Sequence, residues 1–383
     1  MKSVLIIVTS ANIKTDFGNK TYNEQEVGLA KALSRKGCRC GIAYYGGNQE
    51  REEDFLADGL KIRMYLFKGR DFLKTAFFEN YERVFKRYDI LLPITYDHYE
   101  SYRLAMKYPA KTIVYNGTYF STFNKRYNLK CAVCDKFFLP GYRRKNTMFI
   151  TKNRLSAEFL NKKGLANTHV VGVGFDAAQM SSSEMLDSEL SKKIEKLKSD
   201  GQNILLYVGR LEKRRNILFL LELFKVLSKK TKSTLVIIGN GTEEYKASCK
   251  DFVSSNGLGD SILYQERMEQ RFLPKIYKES DLFLLPTSYE IFGMVILEAM
   301  YFGTPVLTTL NGGSDILIKN GESGYIIPDL NLEKWEEKCI DVLQRDNSKL
   351  SERAHNVVAE NFVWDVLADK FLDCFDTKIK NKD

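Results

Sequence analysis

No run of about 18 consecutive apolar residues occurs in the 383-residue chain, so nothing in it has the length of a membrane-spanning helix. The apolar residues 4–8 are too few for a secretory signal core. Polar Thr9-Ser10 and basic Lys14 follow them without a cleavage pattern. A buried first strand and a cytoplasmic protein are therefore expected. Cysteine is scarce and scattered, at positions 38, 40, 131, 134, 249, 339 and 374, and the odd number and scatter argue against a disulfide framework. Cys131-Ala132-Val133-Cys134 is a lone C-x-x-C with no second pair or nearby histidine to complete a zinc site, so the cysteines are expected to be structural. RRM, KH and zinc-finger patterns are absent and the basic residues are dispersed, which argues against a nucleic-acid partner.

The chain does have the material for two cores. Hydrophobic residues make up 44% and charged residues 28%, and domains run to roughly 100–200 residues each. The charge is divided unevenly. Residues 1–176 hold 30 Lys+Arg against 17 Asp+Glu, a net +13, whereas residues 177–383 hold 28 against 32, a net −4. A basic half beside a slightly acidic one implies an anionic partner, with a membrane surface or a phosphorylated lipid the most economical, unless it is simply a solvated surface.

Along the first half, short apolar runs alternate with helical periodicity. Residues 4–8, 41–45, 62–67, 90–94, 112–115, 136–139, 147–150 and 169–173 are strand-length. Residues 22–36 and 153–163 are helical, and 71–87 is a long amphipathic stretch. Residues 177–201 are polar, include Ser181-Ser182-Ser183 and one helical stretch at 188–197, and are read as a linker. The alternation then restarts, with strands at 204–208, 234–238, 261–264, 281–285 and 305–308, and only helices after Pro328. Strands alternating with helices imply parallel sheets covered on both faces. The expected fold is α/β, with two Rossmann-like doubly wound domains (1–176 and 202–362) facing each other across a cleft. Ligand is expected at the carboxyl ends of the strands.

The most informative stretch is Asp281–Pro305, DLFLLPTSYEIFGMVILEAMYFGTP. A buried strand is followed by a turn, and Phe292-Gly293-Met294 opens a helix. The first N–H groups of that helix lack intrahelical partners and favour an anion. Gly293 permits close approach of a ligand to the backbone. Glu290 and Glu298 flank the helix start. Carboxylates do not serve a phosphate, but they accept hydrogen bonds from sugar hydroxyls on either side of one.

This stretch resembles the E-x7-E signature of the family 4 (group 1) retaining glycosyltransferases of the GT-B fold. Phe292-Gly293, Glu298-Ala299-Met300, Gly303-Thr304-Pro305-Val306 and Gly324-Tyr325-Ile326-Ile327-Pro328 all match the pattern. The resemblance implies that Gly209, Arg210 and a basic residue five positions later, here Arg215, grip a donor diphosphate. Lys213 or Arg214 are alternatives for that last role. It implies that Gly239 lies near the nucleotide, that Arg267 and Met268 frame the base, and that Gly18 lies near the transferred phosphate. Glu266 stands where the family usually has glycine. Ile291, Phe292, Gly293 and Met294 would contact the donor, Glu298 its ribose and Glu290 the transferred sugar. Phe362-Val363-Trp364 resembles the aromatic pair that precedes a helix, here about 363–377, returning to the first domain. Asn23–Leu29 resembles bacterial polysaccharide transferases of the family. Many members carry a histidine after the strand matching 112–115, and this chain does not. His98, beside Asp97, is a possible substitute, and together with Asn116 these are the candidate acceptor-side residues.

The implied activity is retaining transfer of a hexose-type sugar from a nucleotide-diphosphate sugar to a glycan or lipid-linked acceptor, in cell-surface polysaccharide biosynthesis. Contact with the inner face of the plasma membrane is compatible with the charge. Arg210, Arg215 and Glu290 are the expected catalytic groups. No D-x-D motif follows an early strand, so no metal or other cofactor is expected. The alternatives are a non-catalytic nucleotide-sugar-binding protein and a nucleotide-sugar epimerase on the same fold.

Overall fold

The computed structural model describes residues 1–13, 24–72, 74–177 and 186–380; Gly18 lies outside the described residues. The chain divides into two compact units, Met1–Gly174 with Phe362–Asp383, and Phe175–Asn361.

The first unit is built on strand Ser3–Ile7, every residue of which is buried. It pairs in parallel with Arg39–Tyr45 on one side and Ile90–Pro93 on the other. Leu60–Phe67 extends the sheet in parallel, and Arg51–Ala57 closes it antiparallel. A three-stranded parallel sheet, Ile113–Asn116, Met148–Thr151 and Thr168–Val170, adjoins it through the bridges Leu91–Thr112 and Ile94–Tyr115. Two expectations fail locally. The stretch 71–87 contains the hairpin Gly69–Phe72/Thr75–Phe78 and one helical turn, Glu82–Phe85. Phe72 is exposed, whereas Phe78, Tyr81 and Phe85 are buried in one cluster. The run 136–139 lies inside helix Lys125–Arg144, where Leu139 faces the core and Phe137 faces solvent.

Helix Trp364–Lys380 belongs to this first unit. The Trp364 indole fills the space beside two glycines. A Cβ on Gly28 would lie 2.2 Å from its Nε1, and one on Gly174 would lie 2.2 Å from its Cδ2. Phe371 packs edge-on to Tyr115, with ring centroids 5.3 Å apart. Arg35 pairs with Asp365 at 2.9 Å and Lys36 with Asp369 at 2.8 Å. These pairs are largely solvated and contribute at most about 1 kcal/mol each. The buried rings, worth roughly 1.5–3 kcal/mol apiece, hold the helix in place.

The second unit carries a six-stranded, wholly parallel sheet. Its order is Ile262–Gln265, Ser233–Ile238, Asn203–Val208, Leu282–Leu285, Val306–Thr308, Tyr325–Ile326. The chain enters at Asn203–Val208, builds outward to one edge, then returns to build the other. The loops after Asn203–Val208 and Leu282–Leu285 therefore leave in opposite directions, opening a crevice at their carboxyl ends. Residues 177–201, read from the sequence as a linker, include helix Glu189–Ser199. Ser188 and Ser191 form a capping box at its start, and Leu190 and Ile194 are buried. Lys198 Nζ reaches Asp281 at 3.1 Å, fastening this helix to the second unit.

Candidate active site

Three loops meet at the carboxyl ends of the second unit's central strands. Tight backbone packing fixes the first. Gly209 and Gly239 have φ of +153° and +155°, and a Cβ on Gly239 would fall 1.8 Å from the Gly209 carbonyl oxygen. Gly209 N donates to Ile238 O at 2.9 Å and Leu211 N to Asn240 O at 2.8 Å. Tyr207 Oη donates to the Arg210 carbonyl at 2.8 Å. The Arg210 side chain is left exposed and makes no ion pair among the described residues.

The second loop, 286–293, is tied to the first. Ser288 N donates to Arg214 O at 2.7 Å, and Arg214 Nη1 donates to Tyr289 O at 2.6 Å. Asn216, in the left-handed region at φ 52°, donates through Nδ2 to Pro286 O at 2.6 Å and Ser288 Oγ at 2.9 Å. Arg215 Nη2 forms an ion pair with Glu290 Oε2, and Arg214 Nη1 lies 3.7 Å from the same oxygen. The Arg215 side chain is only 12% exposed, yet its Nε and Nη1 make no hydrogen bond. Glu212 Oε1, at 4.0 Å from Nε, is too distant for one.

The third loop follows Val306–Thr308. Gly312 N donates to Glu290 O at 2.9 Å, and a Cβ on Gly313 would lie 1.7 Å from the Phe292 carbonyl oxygen. Helix Met294–Tyr301 starts from Gly293 at φ 73°, and no side chain caps its N-terminus. Phe292 is buried, Ile291 is 38% exposed, and Met294 is half-buried. Glu298 lies one turn into the helix and is buried. It accepts from Tyr277 Oη at 2.8 Å and Gln270 Nε2 at 3.4 Å. Burial pushes its carboxyl up to about 7, against the pull of those two hydrogen bonds. Arg267 is exposed and Met268 half-buried, in the segment after Ile262–Gln265.

The structure thus gathers Gly209, Arg210, Arg215, Gly239, Glu290 and the 291–294 helix start around one sheet end. Glu298 is held beneath that helix start by Tyr277 and Gln270. Sequence reading missed Tyr277, Gln270 and Asn216, because nothing local marks a tyrosine on a neighbouring helix as the partner of a glutamate.

The acceptor-side candidates lie in the first unit. Asn116 is fully buried and committed: Oδ1 accepts from Tyr96 N at 3.1 Å, while Nδ2 donates to Thr118 O at 3.1 Å and Ser156 Oγ at 2.8 Å. Asp97 is buried between Lys130 Nζ at 3.0 Å and Tyr127 Oη at 3.1 Å. His98 differs. Thr9 Oγ1 lies 2.5 Å from Ile94 O and 2.7 Å from His98 Nδ1. The threonine's one proton must go to the carbonyl, which can only accept. His98 therefore donates from Nδ1 and keeps a lone pair on Nε2. Burial lowers its pKa to about 4, so it is neutral near pH 7.

All seven cysteines are free thiols. Among the described residues, no group of three or more His, Cys, Asp or Glu is arranged to hold a metal ion, and no helix is long and apolar enough to cross a membrane.

A strand-reversal crevice bordered by Glu290, the two arginines and an uncapped helix start sits in a GT-B fold, and comparison with known proteins agrees on that fold. The family model of glycosyl transferases group 1 matches residues 189–358. A probable sucrose-phosphate synthase of Thermosipho melanesiensis is 28% identical over 172 residues, covering 43% of this chain and 39% of that protein. The spore coat protein SA of Bacillus subtilis is 27% identical over 185 residues, 46% of this chain and 49% of that one. These matches span less than half the length of either relative. The fold matches over nearly the whole chain. A sucrose-phosphate synthase structure from Thermosynechococcus elongatus superimposes with a TM-score of 0.72 at 16% identity, covering 98% of this chain and 99% of that one. An Anabaena structure in complex with UDP and glucose gives 0.69 at 14% identity, covering 98% and 100%.

Proposed function

We propose that the protein transfers a hexose-type sugar, with retention of anomeric configuration, from a nucleotide-diphosphate sugar to a glycan or lipid-linked acceptor in cell-surface polysaccharide synthesis. The observation that carries this is Arg215, a nearly buried guanidinium with Nε and Nη1 unpaired while Nη2 is braced by Glu290. Leaving charged donors buried and unpaired is costly, and a diphosphate supplies the oxygens that relieve it. Arg210 and the uncapped start of helix Met294–Tyr301 add positive potential to the same sheet end.

In this reading the donor's C1–O bond breaks and its electron pair goes to the departing β-phosphate oxygen. The acceptor hydroxyl attacks C1 on the same face, and its proton goes to that phosphate oxygen. The arginines and helix start stabilise the charge that grows on the leaving group, with no metal ion required. Glu290 accepts from the transferred sugar and Glu298 from the ribose. His98 Nε2 is the acceptor-side group in the first unit with a free lone pair. The +13 half contacts an anionic membrane surface at the cytoplasmic face.

The testing experiment is a thermal-shift panel of UDP-, GDP-, ADP- and dTDP-sugars, followed by assay of nucleotide release from whichever donor stabilises the protein. Slow donor hydrolysis in the presence of EDTA is expected. Tight binding without any release, with or without added acceptors, would instead favour a nucleotide-sugar-binding protein.

A further inference from the structure

Between Glu100 and Glu158 the chain carries one acidic residue, Asp135, against twelve lysines and arginines. The positive balance of the first half is concentrated in this stretch, and helix Lys125–Arg144 lies at its middle. One side of that helix is ordinary core, where Cys131, Leu139 and Tyr142 pack with Tyr96, Val114 and Phe149. The opposite side carries Leu129, Val133 and Phe137, which are 67%, 54% and 63% exposed. At about 3.6 residues per turn, spacings of four stack these three into one stripe. The same geometry sets exposed Lys125 and Lys136 along one margin of the stripe and exposed Arg126 and Arg144 in line with it, beyond its two ends. Phe120 and Phe123, 60% and 47% exposed, continue the apolar surface just before the helix.

The charges that would confuse this pattern are already spent. Asp135 pairs with Lys163 and accepts from Tyr96 Oη at 3.2 Å, and Lys130 is committed to Asp97 at 3.0 Å. What remains outward is apolar in the middle and cationic along one margin and at both ends. A helix in a globular protein buries its single apolar stripe; this one has a second, uncovered stripe with the composition of an interfacial helix.

We propose that this face of helix Lys125–Arg144 docks on an anionic lipid bilayer, with Leu129, Val133 and Phe137 at the acyl boundary and the four flanking cations among the headgroups. A second copy of the chain fits less well, because a symmetric contact would set those uncompensated cations against themselves. The purpose of the docking rests on the reading of a lipid-linked acceptor; the docking itself does not.

The test is co-sedimentation of the full chain with phosphatidylcholine vesicles, with or without phosphatidylglycerol. Binding is expected only to the anionic vesicles and should weaken with salt as the exposed charges are screened. The variant Leu129→Ser/Val133→Ser/Phe137→Ser should lose at least about tenfold in partitioning at low salt, since each side chain gives up apolar burial. The variant Lys125→Gln/Arg126→Gln/Lys136→Gln/Arg144→Gln should lose about fivefold per charge and most of its salt dependence. Phe137→Trp should be quenched by brominated acyl chains. All variants should hydrolyse donor sugar at the wild-type rate. A wild-type protein that docks but hydrolyses no donor would defeat the transferase reading and leave this one standing. Absence of binding to anionic vesicles, undiminished binding by the triple serine variant, or a dimer abolished by that variant in a protein that binds no vesicle would overturn the proposal.

Discussion

Glu290 braces Arg215: the carboxylate expected to face the transferred sugar is ion-paired with the guanidinium expected to grip the phosphate. The two act as one device, so removing either disturbs the other's placement. Glu290→Ala and Arg215→Ala should each lower kcat by about tenfold to a thousandfold with modest change in donor KM. Because they share a contact, the double variant should lose much less than the product of the two single losses. Multiplicative losses in steady-state kinetics would show that the pair is incidental to turnover.

Arg210 is exposed and has no carboxylate partner among the described residues, so its charge is available to a leaving diphosphate. Arg210→Ala should lower kcat, and Arg210→Lys should restore part of it, since lysine keeps the charge but not the forked geometry. Equal rates for the wild type and the alanine variant would remove Arg210 from the site.

Glu298 titrates near 7 because it is buried. Its pKa is raised above the unfolded value, so the stabilising effect is fully present below about pH 4.5 and is lost as pH rises through about 7. Chemical denaturation should show up to roughly 3 kcal/mol of stability lost across that window, and Glu298→Gln should flatten the slope. Hydroxyls donating to Glu298 favour the carboxylate, so nucleotide binding near pH 6.5 should release a proton, visible by calorimetry in buffers of different ionisation enthalpy. Glu298→Ala should mainly raise donor KM. A wild-type slope unchanged in the glutamine variant would contradict the assignment.

His98 works in the opposite sense. Its pKa is depressed to about 4, below the unfolded value near 6.5. Stability should therefore fall as pH drops from about 6.5 towards 4, and His98→Gln should remove that component. NMR of the imidazole should report a neutral ring protonated at Nδ1 throughout pH 5–8; an Nε2-protonated ring would contradict the Thr9 geometry.

Gly28→Ala should destabilise the first unit by about 1–3 kcal/mol, the usual cost of forcing atoms into a filled space, because its Cβ would overlap the Trp364 indole. Trp364→Ala should cost about 3–5 kcal/mol. Thermal unfolding of the two variants measures both effects. An unchanged melting temperature for Gly28→Ala would mean that the ring yields freely.

The second unit's central strands are legible because each has a short apolar core closed by a polar, glycine or proline residue, as at 204–208 and 282–285. Its helix starts are equally plain, Phe292-Gly293 above all. Legibility fails where a short run is ambiguous in period. Residues 136–139 read as a strand, but Phe137 and Leu139 belong to opposite sides of a long helix, and only the tertiary structure shows which side is covered. It fails again where a partner is distant in sequence. Glu298 and Tyr277 meet across helices, and no spacing rule announces the contact that shapes the glutamate's titration.

The placement of Trp364 between Gly28 and Gly174 also sets an order of events at the ribosome. The second unit is continuous in sequence and complete once Asn361 has emerged. The first unit begins earlier but still lacks the ring that fills the space beside its two glycines, and the helix Trp364–Lys380 is synthesised after the whole of the second unit. The half made first is therefore finished last. Chains that end at Asn361 and are released from the ribosome should carry a folded second unit beside a first unit that proteases still cut.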